Sequence, residues 1–263
     1  MIDVHCHLEQ KDYDKDREDV IKKCKKELKA LITSCADFKD WELTKGMIQK
    51  HKGNVYATAA IHPQYIEEIK KEEVRGFIEV LKKEAKAGNL VAIGESGLDF
   101  HWVKNPVFRE KQKEMFIEFI RLAKELDLPL VVHSWDAHLD TFLVLEGEKM
   151  QGRKVMLHQF TDNKLLPRIM QNGWHVSIGP GILKNKHMRK LVRDIPLKQL
   201  MLETDSPWFG DEGERGTPLN VKKVIEKIAE IKKVSEEEVE KQTDKTAIDF
   251  FGLKIKAEKT KSK

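Results

Sequence analysis

Cysteine is scarce in this 263-residue chain: Cys6, Cys24 and Cys35 are scattered and form no CxxC pair. That excludes a disulfide scaffold and a cysteine-built zinc module, and it fits a reducing compartment, so a cytoplasmic location is expected. Long apolar runs are also missing. No stretch approaches the roughly eighteen uninterrupted apolar residues of a membrane span. The chain begins MIDVHCHLE instead of a basic segment followed by an apolar one, so neither secretion nor a membrane partner is expected. Charge of one sign is lacking too. The 48 Lys+Arg and 44 Asp+Glu leave a net +4, which permits an anionic partner without demonstrating one. What is present is ample apolar material, 40% of residues. A chain of this mass buries about 73% of its unfolded surface, enough for a large core.

Short apolar runs recur along the chain, each followed by room for a helix. They predict eight strands, at 2–6, 30–35, 55–61, 90–95, 130–133, 154–158, 175–178 and 200–205. Between them, segments including 17–29, 72–87, 107–127 and 217–234 space apolar residues by three and four, with charges between, as amphipathic helices do. Pro106 and Pro218 suit first helical turns, where a missing N–H costs no internal hydrogen bond. No Ser/Gly linker interrupts the alternation. The expected fold is α/β, a closed (β/α)8 TIM barrel, with an open doubly wound sheet as the other arrangement. One domain is expected over 1–253. It includes an additional helix at 235–250 with Ser235 and Glu238 as a capping pair, and a Lys-rich, frayed tail follows at 254–263.

Polar residues close many of these runs. His5 and His7 alternate with Cys6, so both histidines share one face of the first strand while Cys6 faces away. Glu95, His133, His158 and Asp205 end later runs, at the barrel end where side chains of different strands meet. Alone, a histidine here reads as a hydrogen-bonded core residue and an acid as a helix cap. Together, four imidazoles and two carboxylates suit borderline divalent ions, and a two-metal centre follows as the expectation. The Lys22, Lys23, Lys25, Lys26 and Lys29 cluster is interspersed with acids and reads as a solvated helix face.

The ordered set HCH at His5–His7, AAIHP with His62, GESGLDF with Glu95, PLVVHS with His133, HQF with His158 and ETDSPW with Asp205 closely resembles the TatD family of metal-dependent deoxyribonucleases, within the amidohydrolase-like barrels. The resemblance spans nearly the whole chain. It implies that His5, His7, Glu95 and Asp205 surround one metal and that Glu95, His133 and His158 surround a second, with Glu95 as the bridge. It also implies zinc, magnesium or manganese, phosphodiester hydrolysis of DNA in the 3'-to-5' direction with RNA as a further substrate, and contact between His62 and substrate. One departure stands out: the family's HSR reads His133-Ser134-Trp135 here. Trp135 then has two readings, a packed tryptophan or a surface on which a base stacks. Arg215 also has two, a surface ion pair or a replacement contact to phosphate.

A metal pair of this kind polarises a phosphoryl group and activates water near neutral pH. Asp205 is the candidate for orienting the water or accepting its proton, and Glu95 for the bridge. Two other functions fit the same residues. A small-molecule amidohydrolase or lactonase would use the same chemistry on a carbonyl, although such barrels often carry a bridging modified lysine on the fourth strand and none lies in 90–95. A nucleic-acid-binding barrel would use the metals for shape alone.

Overall fold

A computed structural model describes residues 1–210 and 213–255. Among them, strands and helices alternate as β1 Ile2–Cys6, α1 Arg17–Cys24, β2 Ala30–Cys35, α2 Trp41–Lys50, β3 Val55–Ala59, α3 Lys71–Lys86, β4 Ala92–Asp99 and α4 Pro106–Leu126. They continue as β5 Leu130–Trp135, α5 His138–Gly147, β6 Val155–Leu157, α6 Leu166–Asn172, β7 His175–Ile178, α7 Lys186–Asp194, β8 Leu200–Leu202, α8 Val221–Lys232 and α9 Glu236–Phe251. All eight strands are parallel and lie in chain order. The seam between β8 and β1 is held by the His7 N–H on the Ser206 carbonyl (2.7 Å) and the Asp205 N–H on the His5 carbonyl (2.9 Å). The buried Asp3 carboxylate adds to it, accepting from the Thr204 N–H (3.1 Å) and hydroxyl (2.6 Å). The architecture is the (β/α)8 TIM barrel.

Apolar residues fill two regions. The larger lies between strands and helices, where Phe116 and Phe119 of α4 are fully buried. The smaller fills the amino-terminal half of the barrel with Ile2, Val4, Ile32, Ala92, Val131, Met156 and Met201, and Phe250, Phe251 and Leu253 close over it. The carboxyl-terminal half is left to polar side chains. Ser235 caps α9 by accepting the Glu238 N–H (3.1 Å).

Two irregularities set which residues face inward. Between Asp3 and Cys6, β1 carries one residue more than its partner β2. Val4 can therefore join the apolar floor while His5 and His7, of opposite parity, also enter the barrel. A second extra residue in β4, between Ile93 and Ser96, does the same for Ala92 and Glu95.

Some expected boundaries shift. The fourth strand runs to Asp99, well past Glu95, because Gly94 and Gly97 let it lie close against β5. A Cβ at Gly97 would come within 1.9 Å of the His133 carbonyl oxygen. The third, sixth and eighth strands are shorter than their apolar runs, whose ends turn into the loops that carry the polar residues. The first helix ends at Cys24 instead of 29, and a short 3-10 turn at Pro218–Asn220 precedes α8. Of the expected tail, Lys254 and Ile255 pack onto the barrel: the Tyr56 hydroxyl donates to the Lys254 carbonyl (2.8 Å), and Ile255 joins the floor. Residues 256–263 lie outside the described residues.

Candidate metal centre

Seven side chains from six strand ends meet at the carboxyl-terminal mouth: His5, His7, His62, Glu95, His133, His158 and Asp205. All but Asp205 are buried, at 8% exposure or less. The Glu95 carboxylate lies at the middle and divides the rest. Its Oε2 faces His5 Nε2 (3.2 Å) and His7 Nε2 (3.7 Å), which in turn lie 3.7 and 3.3 Å from Asp205 Oδ1. Its Oε1 faces His133 Nδ1 (2.7 Å), His158 Nε2 (3.6 Å) and His62 Nε2 (3.6 Å). Asp205 takes left-handed backbone (φ 54°), a region that aspartate tolerates better than most residues.

A further set of carboxylates fixes which nitrogen each ring turns inward. Glu9 accepts from His7 Nδ1 (3.0 Å) and from the Thr33 hydroxyl (2.7 Å). Glu203 accepts from His158 Nδ1 (2.8 Å) and the Gln159 N–H (3.1 Å). Asp99 accepts from His133 Nε2 (3.1 Å). In its neutral form each of these imidazoles keeps its proton on the outward nitrogen and can offer the inward lone pair to a cation. His62 is opposite in sense. Its Nδ1 accepts the Gln64 N–H (3.2 Å), so the inward Nε2 of the neutral ring carries the hydrogen and donates. The sequence reading missed Glu9, Asp99 and Glu203. The signal was there, since Glu9 and Glu203 stand two residues from His7 and Asp205.

Burial alone would neutralise these acids. Instead, against that desolvation, the His158, His5 and His62 charges and the His133 hydrogen bond hold Glu95 well below the usual carboxylate range. Asp205 is likewise lowered against burial, by His158 and His7. For His5 and His62 desolvation wins and both are lowered, whereas for His158 the Glu203, Glu95 and Asp205 charges overcome it and raise the ring to about 10.

The donor set fits divalent cations. Inward nitrogens of His5 and His7 stand 3.1 Å apart, facing carboxylate oxygens. Five acids, Glu9, Glu95, Asp99, Glu203 and Asp205, cluster here, and among the described residues none pairs with lysine or arginine. Negative charge gathered around imidazole lone pairs in a buried site calls for cations.

The remaining expected residues stand elsewhere. Cys6 faces away, with its thiol on the Ile32 carbonyl. Trp135 is 44% exposed at the end of β5. Arg215 adopts its ion-pairing reading: it forms a bidentate pair with Asp16 (2.7 and 2.9 Å), donates to the Asp12 carbonyl and stacks over Tyr13. Those bonds use three of the five guanidinium N–H groups. Trp208, given no role from sequence, meets the His7 ring edge-on at 4.8 Å.

Comparison with known proteins follows the same lines. Residues 2–252 match the family described as TatD related DNase. The chain is 33% identical to the metal-dependent hydrolase YabD of Bacillus subtilis, over 96% of this chain and 99% of that one. It is 33% identical to the deoxyribonuclease TATDN3 of Homo sapiens, over 95% and 94% respectively. The fold is similar to the crystal structure of YJJV, a TatD homologue from Escherichia coli, with a TM-score of 0.86 at 23% identity, covering 96% of this chain and 98% of that one. Among the described residues no helix is long and apolar enough to cross a membrane.

Proposed function

This chain belongs to the TatD-related DNase family of metal-dependent hydrolases, and we propose that it is a two-metal phosphodiesterase that trims DNA from the 3' end, with RNA as a further substrate. The carrying observation is the division of partners across Glu95, one oxygen toward His5 and His7, the other toward His133 and His158. His5, His7, Glu95 and Asp205 would hold one ion and Glu95, His133 and His158 the other. Zinc, magnesium and manganese all suit this mixed set of nitrogen and oxygen donors. Bound there, the ions supply Lewis-acid stabilisation of a phosphoryl group and make water nucleophilic near neutral pH.

The protein's own groups supply the rest. Asp205, kept ionised and only partly buried, accepts a proton from the attacking water through its carboxylate. His62, by its Nε2–H, donates a hydrogen bond to a substrate oxygen instead of ligating. Glu9, Asp99 and Glu203 hold the rings so that little reorganises during reaction. The apolar wall behind the site keeps these polar groups in a low-dielectric setting.

The test is chelation followed by controlled metal return, assaying end-labelled single- and double-stranded DNA, RNA and a lactone panel. His5→Ala and Asp205→Ala serve as controls whose folding is checked by circular dichroism. Metal-restored shortening of DNA from its 3' end is expected. Lactone hydrolysis with intact DNA and RNA would favour the small-molecule enzyme, and binding without turnover the architectural barrel.

A further inference from the structure

Two exposed indoles and a half-buried imidazole at the barrel mouth have no place in that chemistry. Trp102 is 65% exposed on the loop after β4, and Trp135 is 44% exposed at the end of β5. The His101 ring lies parallel to Trp135, with centroids 4.2 Å apart and planes 10° apart. Trp102 meets both edge-on, 5.1 Å from His101 and 6.2 Å from Trp135. Asp136 fixes the imidazole by accepting from its Nδ1 at 3.1 Å. His101 covers one face of the Trp135 indole.

The group is wired to the candidate centre. Asp99 Oδ2 holds His133 at 3.1 Å, while Asp99 Oδ1 accepts the Trp102 N–H at 2.7 Å. The Phe100 N–H donates to the Trp135 carbonyl at 2.9 Å, joining the two loops. Trp135 follows His133 by two residues on one strand, so both side chains share a face, with the indole about 7 Å farther toward the mouth. One carboxylate thus holds a centre histidine and the backbone of the loop that carries the exposed Trp102.

Rings needed only for folding would be buried, since exposed indole forfeits its hydrophobic stabilisation. Prearranged, solvent-facing rings beside a phosphodiester site are what an unstacked base requires, because every base offers a π face. We infer that His101, Trp102 and Trp135 form a platform on which an unpaired nucleobase stacks, next to the phosphodiester at the centre. This rests on the phosphodiesterase reading. It places recognition on the base where the family's arginine after His-Ser is absent.

Binding in chelator tests the platform without turnover. A fluorescein-labelled oligothymidylate and an abasic chain of equal length are titrated with the full protein, followed by anisotropy and tryptophan fluorescence. The thymidine chain is expected to bind about 5- to 100-fold more tightly. Trp135→Ala should remove most of that preference, Trp102→Ala part of it, and Trp135→Phe should retain it, with melting curves confirming folding. Equal affinity for the two chains, or an unchanged preference in folded Trp135→Ala, overturns the platform. The reading beneath it is judged separately, by hydrolysis of bis(4-nitrophenyl) phosphate with metal-loaded wild type. A thymidine preference without that hydrolysis supports the platform and rejects the phosphodiesterase.

Discussion

Glu203 touches no inward-facing nitrogen, yet it decides which nitrogen His158 turns inward. Replacing it by glutamine keeps the shape but removes the charge that keeps Nδ1 protonated and the ring basic. The expected outcome for Glu203→Gln is a 10- to 100-fold loss of metal affinity, about that of other outer carboxylate partners, with a nearly unchanged melting temperature in chelator. Calorimetric titration of metal into the apo protein measures the first, and thermal scanning the second. Loss of stability with unaltered metal affinity would make Glu203 merely structural. Glu9→Gln should behave alike through His7. The sequence reading found the inward-facing residues because each closes an apolar run, but it passed over these partners. A carboxylate two residues from a candidate ligand looks like any polar strand residue until the partner ring is in view.

At the level of elements, β4 carries the tightest constraint. Gly97→Ala would bring a Cβ within 1.9 Å of the His133 carbonyl, against backbone that cannot yield as a flexible side chain can. We expect it to cost more than about 3 kcal/mol and to perturb β5, as read by urea unfolding. The same glycines explain why the strand seemed to end at Glu95: in sequence they read as punctuation, whereas in the barrel they permit close approach. Helix α9 is the other informative element. Phe250, 2% exposed, helps close the barrel floor, and Phe250→Ala should destabilise by about 3–5 kcal/mol. Because the floor lies apart from the candidate metal centre, metal affinity of the folded fraction should stay close to wild type. The additional helix itself was legible from its apolar spacing and its Ser235 cap, but its role as a floor was not, since that depends on where the barrel end lies.

For the molecule as a whole, acid stability should depend on His175. Burial, assisted by the Lys154 charge, lowers this imidazole from 6.5 to about 4, and its Nδ1 finds no hydrogen-bond partner among the described residues. Between those values the unfolded chain binds a proton that the folded chain refuses. Stability therefore falls as pH drops from 6.5 toward 4, by up to about 3 kcal/mol from this group. Above pH 6.5 both states are neutral and the contribution vanishes. Denaturant unfolding at neutral and mildly acidic pH should give a shallower pH slope for His175→Leu than for wild type. An identical slope would remove His175 from the account.

The eightfold alternation itself was readable throughout, because burial on both faces of a parallel sheet writes near-continuous apolar runs into sequence. Among the described residues, Phe250, Phe251 and Leu253 seal one end of the barrel and leave the opposite mouth as its doorway. Whatever reacts inside must enter and leave by that opening. On the phosphodiesterase proposal a polymer would not thread through, and each severed piece would have to clear the entrance before the next took its place.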